Sequence, residues 1–536
     1  MVPRSLSHQQ YHDFVHHFCS LLFVSTGQAV SLQERKDWFA KLWSVDLSRL
    51  TDILYDCYAP NGRPSRDPTA LFRSLLLMNI TAETAITRWV QTLKADPLCA
   101  ILSGFRPWHR PDLPDPNGQE GLHGGLPGVG TFYEFIDRLT QTDFLIRQRK
   151  REKQQRKPHK FRKRPTKKPG VSKGGKAPEL RENRHPGTVA RLVRRIFNRL
   201  GQNLPPRPED TLNCILKEVF VEPSLAKGLL GSHEDGLDVA MDGTAIRTGA
   251  SRYGKKVCSC HKQGIYRCTC PRVYSDEEAD WGWDSYREEY YFGHSLFVFA
   301  AAGTSHNLAL YLRMASSRRH DSVISTYALW ELRSLYADLR FRYLLGDSAF
   351  DAYALYQLAL ALGFKPIIDL NKTNSGNRQY AGPLQINEHG IPICPAAREM
   401  VYNGFCPDRY RIKWRCPAIC GPDKKGKPCD CTCSTKPYGR VIYTKPADDP
   451  RLFTAIPRGT QEWKDTFAKR TSVERVNDAL KNDYHAAHSR TRGRRRIFFR
   501  LALAAMRGHL EAWHKENPVN ISQIIDSWTA PAQLAA

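Results

Sequence analysis

Apolar residues recur three and four positions apart along much of residues 1–146, most clearly in DPTALFRSLLLM and TFYEFIDRLT. This spacing places the apolar side chains on one face of a helix and the polar ones on the other. The pattern therefore predicts an all-α N-terminal domain over residues 1–146. The same argument predicts a helical connector over residues 187–235, where TVARLVRRIFNRL combines an apolar stripe with several arginines.

From residue 236 the pattern changes to short apolar runs that alternate with helical segments. The first three strands are predicted from the segments LDVAMD, HSLFVFAAA and LALYLRMA. They are followed by a helix in SVISTYALWELRSLYADL and a fourth strand in RYLLGD. A second helix in DAYALYQLALALG and a fifth strand in KPIIDL complete the series. This order predicts a mixed α/β fold with a ribonuclease-H-like core and helices on both faces of its sheet. The predicted core comprises residues 236–370 and the final helices at 458–516, which are separated by a Cys-rich insertion at 371–457 and followed by a tail at 517–536.

The net charge of the chain indicates which class of molecule it binds. The chain carries 80 Lys and Arg against 54 Asp and Glu, a net charge of +26. Such an excess attracts a polyanion, so nucleic acid is the expected partner; basicity of the ribosomal kind without chemistry and an anionic membrane surface are the alternatives. The N-terminus lacks an apolar signal-like run, and no segment approaches the roughly 18 apolar residues that span a bilayer. We therefore expect a soluble, cytoplasmic, nucleoid-associated protein without a membrane partner.

The charge is most concentrated between the two predicted folded regions. Residues 147–176 contain fifteen Lys or Arg and one Glu, with almost nothing apolar to bury. This composition predicts a disordered basic linker over residues 147–186. Its cations are interpreted as an arm that grips DNA phosphates, with a solvated spacer as the alternative. The residues chosen for this role are Lys150, Arg151, Arg162, Lys163 and Arg164.

Two carboxylates follow apolar strands, Asp242 in LDVAMD and Asp347 in RYLLGD. A carboxylate at a sheet rim is costly unless it is paired or bound to a cation, so two on neighbouring strands indicate a metal pocket. Either one alone could instead cap a turn or helix. A third acid, Glu474, lies in the predicted helix FAKRTSVERVNDALK, whose face also includes Arg470 and Lys481. A solvent-exposed helix with ion pairs is the alternative for this face.

The spacing along this helix resembles that of a known family. Insertion-sequence DDE transposases have a Tyr, Arg, Glu, Lys signature, which this helix resembles at Phe467, Arg470, Glu474 and Lys481. The gaps between these four residues are two, three and six residues long. Phe467 replaces the tyrosine and lacks its hydroxyl. Five further segments resemble segments of the same family, so the resemblance covers most of the chain. They are MDGT, RRHDS, LLGDSAFDAYALYQLALALG, YAPNGRPSRDPTALFRSLLLM and ICPAAREMVYNGFCPDRYRIKWRCP.

The resemblance implies an enzyme that cleaves element ends and joins them to a target by strand transfer, in cut-and-paste DNA transposition. Asp242, Asp347 and Glu474 would be catalytic and would hold Mg²⁺ or Mn²⁺, since hard cations prefer oxygen ligands. Arg470, Lys481 and Phe467 would contact DNA near the scissile bond. His320 and Asp321 would support the site, or else cap the following helix. The expected partners are double-stranded DNA, both terminal inverted repeats and target, and a second copy of the chain in a homodimer on DNA.

Eleven of the fifteen cysteines lie between residues 258 and 433, often as C-x-C pairs, and this clustering favours metal over disulfides. The predicted hairpin at 256–272 places Cys258, Cys260, Cys268 and Cys270 close enough for structural zinc, although C-x-C is tighter than the usual spacing. A second zinc site is predicted from Cys406, Cys416, Cys420 and Cys429. Reduced surface thiols are the alternative for both groups.

Three other functions remain open from the sequence. One is a DNA-binding protein derived from such an enzyme that has lost catalysis, although all three acids are present. Another is a ribonuclease-H-like nuclease without strand transfer, which would need neither the helical N-terminal domain nor the insertion. A tyrosine recombinase is disfavoured, because nothing here requires a Tyr nucleophile and the strand-end acids would be unexplained.

Overall fold

The computed structural model describes residues 5–26, 35–59, 65–106, 125–141, 155–156, 187–231, 234–371, 380, 382–420, 433–486 and 491–524. The mixed α/β fold predicted from the sequence is confirmed for these residues. None of the helices described is both long enough and apolar enough to cross a membrane.

Helices alone make up the regular structure of the described residues before position 142. They are α1 (His8–Thr26), α2 (Lys36–Trp43), α3 (Leu50–Ile53), a 3₁₀ turn (Tyr55–Cys57), α4 (Pro68–Ile80), α5 (Ile86–Ala95), α6 (Pro97–Ser103) and α7 (Val129–Leu139). The start of α4 shows why the chain folds this way locally. Asp67 accepts hydrogen bonds from the backbone N–H groups of Thr69 and Ala70, and Pro68 fits the first helical turn.

The linker predicted as disordered lies outside the described residues, except for the strand β1 (Gln155–Arg156). The connector contains α8 (Thr188–Phe197) and α9 (Asp210–Ile215), which continues through a π-helical turn (Leu216–Val221) into α10 (Glu222–Ala226). Helical segments therefore make up the regular structure of residues 187–231.

The central sheet is built from β2 (Leu237–Arg247), β5 (Asp280–Asp284), β6 (Glu289–Ala301), β7 (Ala309–Ser316), β8 (Phe341–Gly346) and β9 (Lys365–Ile368). Its strand order is β5-β6-β2-β8-β9. Both β5 and β7 pair with β6 on the side away from β2, β5 with its first residues and β7 with the rest. β2 is antiparallel to β6 and parallel to β8, while β8 is parallel to β9. The strand β5 was not anticipated from the sequence, because DWGWD lacks a clear apolar alternation.

Helices cover both faces of this sheet. α11 (Asp321–Leu335) and α12 (Tyr353–Ala361) precede β8 and β9, and α14 (Gln461–Ala468), α15 (Thr471–Asp478), a π-helical turn (Ala479–Asp483) and α16 (Arg494–Glu516) follow later in the chain. Gly243 of β2 abuts Asp321 of α11, whereas its neighbour Asp242 contacts α15. Because successive residues of a strand point to opposite faces, α11 and α15 lie on opposite sides of the sheet.

Helix α16 joins the N-terminal helices to the sheet. On one side Arg507 donates to the Asn79 carbonyl at 2.8 Å, and Glu511 pairs with Lys41 at 2.6 Å. On the other side His509 is fully buried, with Nε2 2.9 Å from the Ala309 carbonyl. One continuous apolar core runs from the N-terminal helices through the sheet to α16.

The predicted insertion contains a small sheet of its own. It has β10 (Val401–Cys406), β11 (Arg411–Arg415), a short helix α13 (Pro417–Cys420) and β12 (Val441–Thr444), in the antiparallel order β10-β11-β12. Ile412 and Trp414 belong to a separate apolar cluster with Phe453. A buried ion pair attaches this unit to the core, since Arg451 meets the Asp351 carboxylate at 2.6 and 2.7 Å.

A third small sheet, β1-β4-β3, lies at the Cys hairpin and is formed by β3 (Lys255–Lys256) and β4 (Arg272–Val273) with β1. Gln155 and Arg156 pair with Val273 and Arg272 in antiparallel register. A piece of the basic linker is therefore held against the hairpin.

Candidate active site

Asp242 lies in the middle of β2 rather than at its end, which corrects the expectation from the sequence. The strand continues to Arg247 because it pairs with β6 as far as Gly293. Its other neighbour, β8, ends at Gly346, so the edge of β2 that bears Asp242 passes beyond the end of that strand. Asp242 therefore lies beside the end of β8, at the rim of the sheet, although β2 itself continues past it.

Asp347 follows β8 immediately and comes close to Asp242. Ala240 and Leu345 are partners in the parallel pairing of the two strands, so both acids lie two residues further along. The Asp347 side chain also caps the 3₁₀ turn Ser348–Phe350, accepting from the Ala349 N–H at 2.9 Å. The capping and the metal-pocket interpretations of this residue are thus compatible.

A third carboxylate at this rim belongs to Asp321, the first residue of α11. It packs directly against the backbone of Gly243: a Cβ there would lie 2.2 Å from Asp321 Oδ1. Burial and repulsion from Asp347 raise the pKa of Asp321 to about 6, while His320 acts in the opposite direction. His320 itself caps α11, accepting from the Ser322 N–H at 3.3 Å.

The electrostatics of Asp242 show how close these acids are. Burial, followed by the charges of Asp321 and Asp347, raises its pKa to about 7, whereas Arg470 and the Gly243 N–H lower it. Carboxylates that repel one another in a half-buried site need a cation if all are to be ionised at neutral pH. The oxygen-only donor set suits a hard divalent ion. The chemistry of these side chains therefore suits Mg²⁺ or Mn²⁺, although in the described part of the chain their oxygens do not form a metal-sized group.

Glu474 is not part of this group in the structure. Its side chain on α15 is 48% exposed and pairs with Arg470, with Oε1 2.8 Å from Nη1. It lines a cavity of about 630 Å³ with Ser305 and Glu511. Among the described residues, no metal-sized cluster contains Glu474 together with Asp242 and Asp347. Asp321 and Asp347 thus lie close enough to act on the charge of Asp242, whereas the described ion pair of Glu474 is with Arg470.

Later turns of the same helix do reach β2. Asn477 is buried and donates from Nδ2 to Asp242 Oδ2 at 2.9 Å, while its buried Oδ1 has no hydrogen-bond partner among the described residues. Lys481 donates from Nζ to Thr244 Oγ1 at 2.7 Å, and burial lowers its pKa. Asn477 was not chosen from the sequence, although its position three residues after Glu474 places it on the same face.

The remaining residues of the signature pack against one another. Phe467 stacks on Trp463 with ring centroids 4.8 Å apart, and the Arg470 guanidinium lies 5.6 Å from the Phe467 ring. The helix predicted over residues 466–482 begins earlier, at Gln461, and is interrupted at Lys469 and Arg470 before α15. The linker cations proposed to grip DNA, Lys150, Arg151, Arg162, Lys163 and Arg164, lie outside the described residues.

The hairpin cysteines form the clearest candidate metal centre. The Sγ atoms of Cys258, Cys260, Cys268 and Cys270 all lie within 4.8 Å of one another. Two pairs, 258 with 268 and 260 with 270, are 3.5 Å apart. Sulfurs around tetrahedral zinc, each about 2.3 Å from the metal, are about 3.8 Å apart, whereas a disulfide needs about 2.05 Å. The four thiols therefore fit zinc.

The second cysteine group has a different outcome. Cys406 ends β10, while Cys416 precedes α13 and Cys420 ends it. Cys429 lies outside the described residues. No metal-sized group that includes Cys406, Cys416 or Cys420 occurs in the described part of the chain.

Comparisons with known proteins place this geometry in context. A family model described as "Transposase DDE domain" matches residues 234–506, which include all three predicted catalytic acids. A search of curated proteins gives no match. A solved structure that is similar is the cryo-EM structure of the piggyBac transposase synaptic complex with hairpin DNA, at 11% identity and a TM-score of 0.26, over 65% of this chain and 73% of that chain.

Proposed function

Since the chain belongs to the DDE transposase family and is therefore a DNA transposase, an enzyme that acts on DNA with divalent metal ions, we propose that Asp242, Asp347 and Glu474 are its catalytic carboxylates. The observation that carries the proposal is the position of Asp242 and Asp347 on adjacent strands at one rim of the sheet, where burial, followed by repulsion from Asp321 and Asp347, raises the pKa of Asp242. Mg²⁺ or Mn²⁺ held there would activate the attacking oxygen and stabilise the leaving one.

Glu474 joins this group only if its contact with Arg470 is released. The two side chains are 2.8 Å apart, and Arg470 is the more buried of the pair. A DNA phosphate competes with Glu474 for the guanidinium, because Arg binds phosphate and carboxylate oxygens in the same way. In this proposal DNA binding frees Glu474 to turn towards Asp242 on the strand that α15 faces. Lys481 and Phe467 then contact the DNA beside it.

The reaction proceeds in two displacements at phosphorus. A water molecule attacks the phosphodiester at the element end, the bond to the 3′-oxygen breaks, and that oxygen leaves with a proton as a 3′-hydroxyl. The 3′-hydroxyl then loses its proton and attacks a target phosphodiester, releasing a new 3′-hydroxyl from the target strand. Asn477 holds Asp242 in position throughout by its 2.9 Å hydrogen bond. Cleavage of the second strand at each end would then free the element from the donor, and together these steps would amount to cut-and-paste transposition.

The architecture supports a finer assignment within the family. The order β7-β6-β2-β8-β9, with β6 antiparallel to β2 and β8 parallel to it, is that expected of a ribonuclease-H-like core. The segment 371–457 would be an insertion with its own apolar cluster. The Phe467, Arg470, Glu474 and Lys481 spacing would make it a member of the Tyr-Arg-Glu-Lys signature type.

The N-terminal helices and the oligomeric state complete the proposal. Residues 1–146 would bind the element's terminal inverted repeats, and a homodimer would hold two ends in one complex. Zinc bound by Cys258, Cys260, Cys268 and Cys270 would be structural, because a site filled by four thiolates leaves no open position for chemistry.

The test compares the native protein with Asp347→Asn and Glu474→Gln on DNA that carries the element's ends, in Mg²⁺ and in Mn²⁺. Each change removes one negative charge and keeps the size of the side chain. We expect the native protein to cleave and join, and both variants to bind the DNA normally while losing at least 10³-fold in cleavage, on the order of 4 kcal/mol in the barrier. Lys445→Gln, an exposed change in the insertion, is the matched control.

Other outcomes point to other functions. Cleavage without joining by the native protein would indicate a nuclease that lacks strand transfer. Normal DNA binding without cleavage by any of the proteins in either metal would indicate a transposase-derived DNA-binding protein. Full activity of Glu474→Gln, with loss in Asp321→Asn, would assign the third ligand to Asp321 instead.

A further inference from the structure

We propose that the Cys hairpin, residues 251–273, is a binding surface for duplex DNA that contacts the phosphate backbone without reading sequence. The inference rests on the family's action on DNA and on the zinc site proposed above, but it does not depend on the catalytic triad. It assigns a function to a segment that the active site does not use.

The charge of the hairpin is of one sign. Residues 251–273 contain six Lys or Arg and no Asp or Glu. Arg252, Lys255, Lys262 and Arg267 are all exposed. A solvated segment normally mixes both signs, so a segment with six cations and no acid attracts a polyanion, and duplex DNA is the polyanion on which the enzyme acts.

Exposed aromatic and apolar side chains lie among these cations along the segment. Tyr266 is 73% exposed, Tyr253 61% and Ile265 51%. Side chains this exposed do not fill a core. Exposed aromatic groups between cations are common where a protein packs against sugar and phosphate.

The hairpin is held firmly to the catalytic sheet. It follows β2, the strand of Asp242, and hydrogen bonds of the Asp276 carboxylate close its base. Asp276 Oδ2 accepts from Thr248 Oγ1 at 2.7 Å and from the Gly493 N–H at the start of α16 at 2.9 Å. DNA bound on the hairpin would therefore lie in a fixed position relative to the rim of carboxylates.

One described piece of the basic linker, β1, pairs with the hairpin. Strand β1, which pairs with β4 of the hairpin, belongs to residues 147–176 with their fifteen Lys or Arg. The cysteine cluster lies between β3 and β4 along the chain, and β4 is the strand with which β1 pairs.

The test measures binding of an arbitrary-sequence duplex of about 30 base pairs by fluorescence anisotropy at several salt concentrations, without divalent ions. The variant is Lys255→Gln, Lys262→Gln and Arg267→Gln together. Each lost phosphate contact lowers the slope of log K against log salt by about 0.9, so we expect a slope lower by up to about 3 and an affinity reduced at least tenfold near 0.1 M salt.

The matched control neutralises three exposed lysines away from the hairpin, Lys227→Gln, Lys436→Gln and Lys445→Gln. We expect the DNA affinity of this control to change less than twofold. Its slope of log K against log salt should change by less than about one. Equal losses in both triple variants would overturn the proposal, because only total charge would then matter. Binding of single-stranded DNA as tightly as the duplex, with the same loss in the hairpin variant, would overturn the duplex assignment.

Two further variants test the role of zinc and distinguish the hairpin surface from the proposed active site. Cys268→Ser should lose the bound zinc, measured as metal content of the purified protein, and should weaken duplex binding as the charge variant does. Retained binding by the zinc-free protein would contradict the coupling of zinc to the surface. Asp347→Asn should bind the duplex with native affinity and salt slope, so failure of catalysis and failure of the hairpin surface give different results.

Discussion

At Gly243 the backbone of β2 meets the Asp321 carboxylate with no room for a side chain between them. Glycine is required here for close approach and not for a special backbone angle. The contact links the strand of Asp242 to the first turn of α11, and it explains how a third acid reaches the rim. Because it joins residues far apart in the chain, neither the MDGT motif nor the RRHDS motif predicts it alone.

We expect Gly243→Ala to disturb both stability and activity. The added methyl group would lie 2.2 Å from Asp321 Oδ1, so the strand or α11 must shift. Overpacking of this kind costs about 1–3 kcal/mol. Urea unfolding would measure the loss, and cleavage in Mn²⁺ should fall at least tenfold through displacement of Asp242.

The control is Gly130→Ala in α7, where no atom lies within 4 Å of the added Cβ. This change should be neutral or stabilise by up to about 1 kcal/mol, because alanine favours the helix. Adding Asp321→Ala to Gly243→Ala should restore stability. If Gly243→Ala proved as stable as Gly130→Ala, the close approach would be refuted.

At the scale of elements, periodicity predicted the strands and helices of the core and placed Asp242 and Asp347 on neighbouring strands. It failed where the pattern was decided by tertiary contacts. The break at Lys469 is one case: its Nζ lies 3.0 Å from Asp238 and its stem packs against Gly303, contacts with β2 and the turn after β6. Neither the interruption before α15 nor the turn of Glu474 towards Arg470 is visible in the local sequence.

The attachment of the insertion can be tested through one ion pair. The Asp351 and Arg451 side chains are 0% and 3% exposed, and they meet through two hydrogen bonds. Removing one partner of a buried pair leaves an uncompensated charge and costs about 3–5 kcal/mol. We therefore expect Arg451→Met to destabilise the protein by that amount, measured by urea unfolding.

The double variant Asp351→Asn with Arg451→Met should recover most of this loss, since no buried charge remains. Arg440→Met, a half-buried arginine at the edge of β12, is the comparison and should cost less than about 1 kcal/mol. Equal effects of Arg451→Met and Arg440→Met would show that the pair does not hold the insertion to the core.

For the whole molecule, the raised pKa of Asp242 makes stability depend on pH and on metal. Its folded-state pKa of about 7 is above the ordinary value of 3.8, so the folded protein keeps this proton when the unfolded chain has lost it. The free energy of unfolding of the metal-free protein therefore falls as pH rises from about 4 to about 7. Above this window both states are ionised and the penalty, up to about 4 kcal/mol, is complete.

Asp242→Asn removes the titrating group, so the difference in stability between this variant and the native protein isolates its contribution. We expect Asp242→Asn to gain on the native protein progressively from pH 4 to pH 7 and then to level off. His509, whose pKa burial lowers to about 4, has the opposite pH dependence but contributes equally to both proteins. Thermal or urea unfolding in a chelator at several pH values measures this difference.

Divalent metal should reverse the order at pH 8. A cation bound by ionised carboxylates stabilises the native protein in proportion to its concentration over the dissociation constant, whereas Asp242→Asn has lost a ligand. Millimolar Mn²⁺ should therefore raise the stability of the native protein more than that of the variant. An equal rise in both would place the ion elsewhere, and the repulsion between Asp242, Asp321 and Asp347 would then be a cost that the fold bears without a metal to offset it.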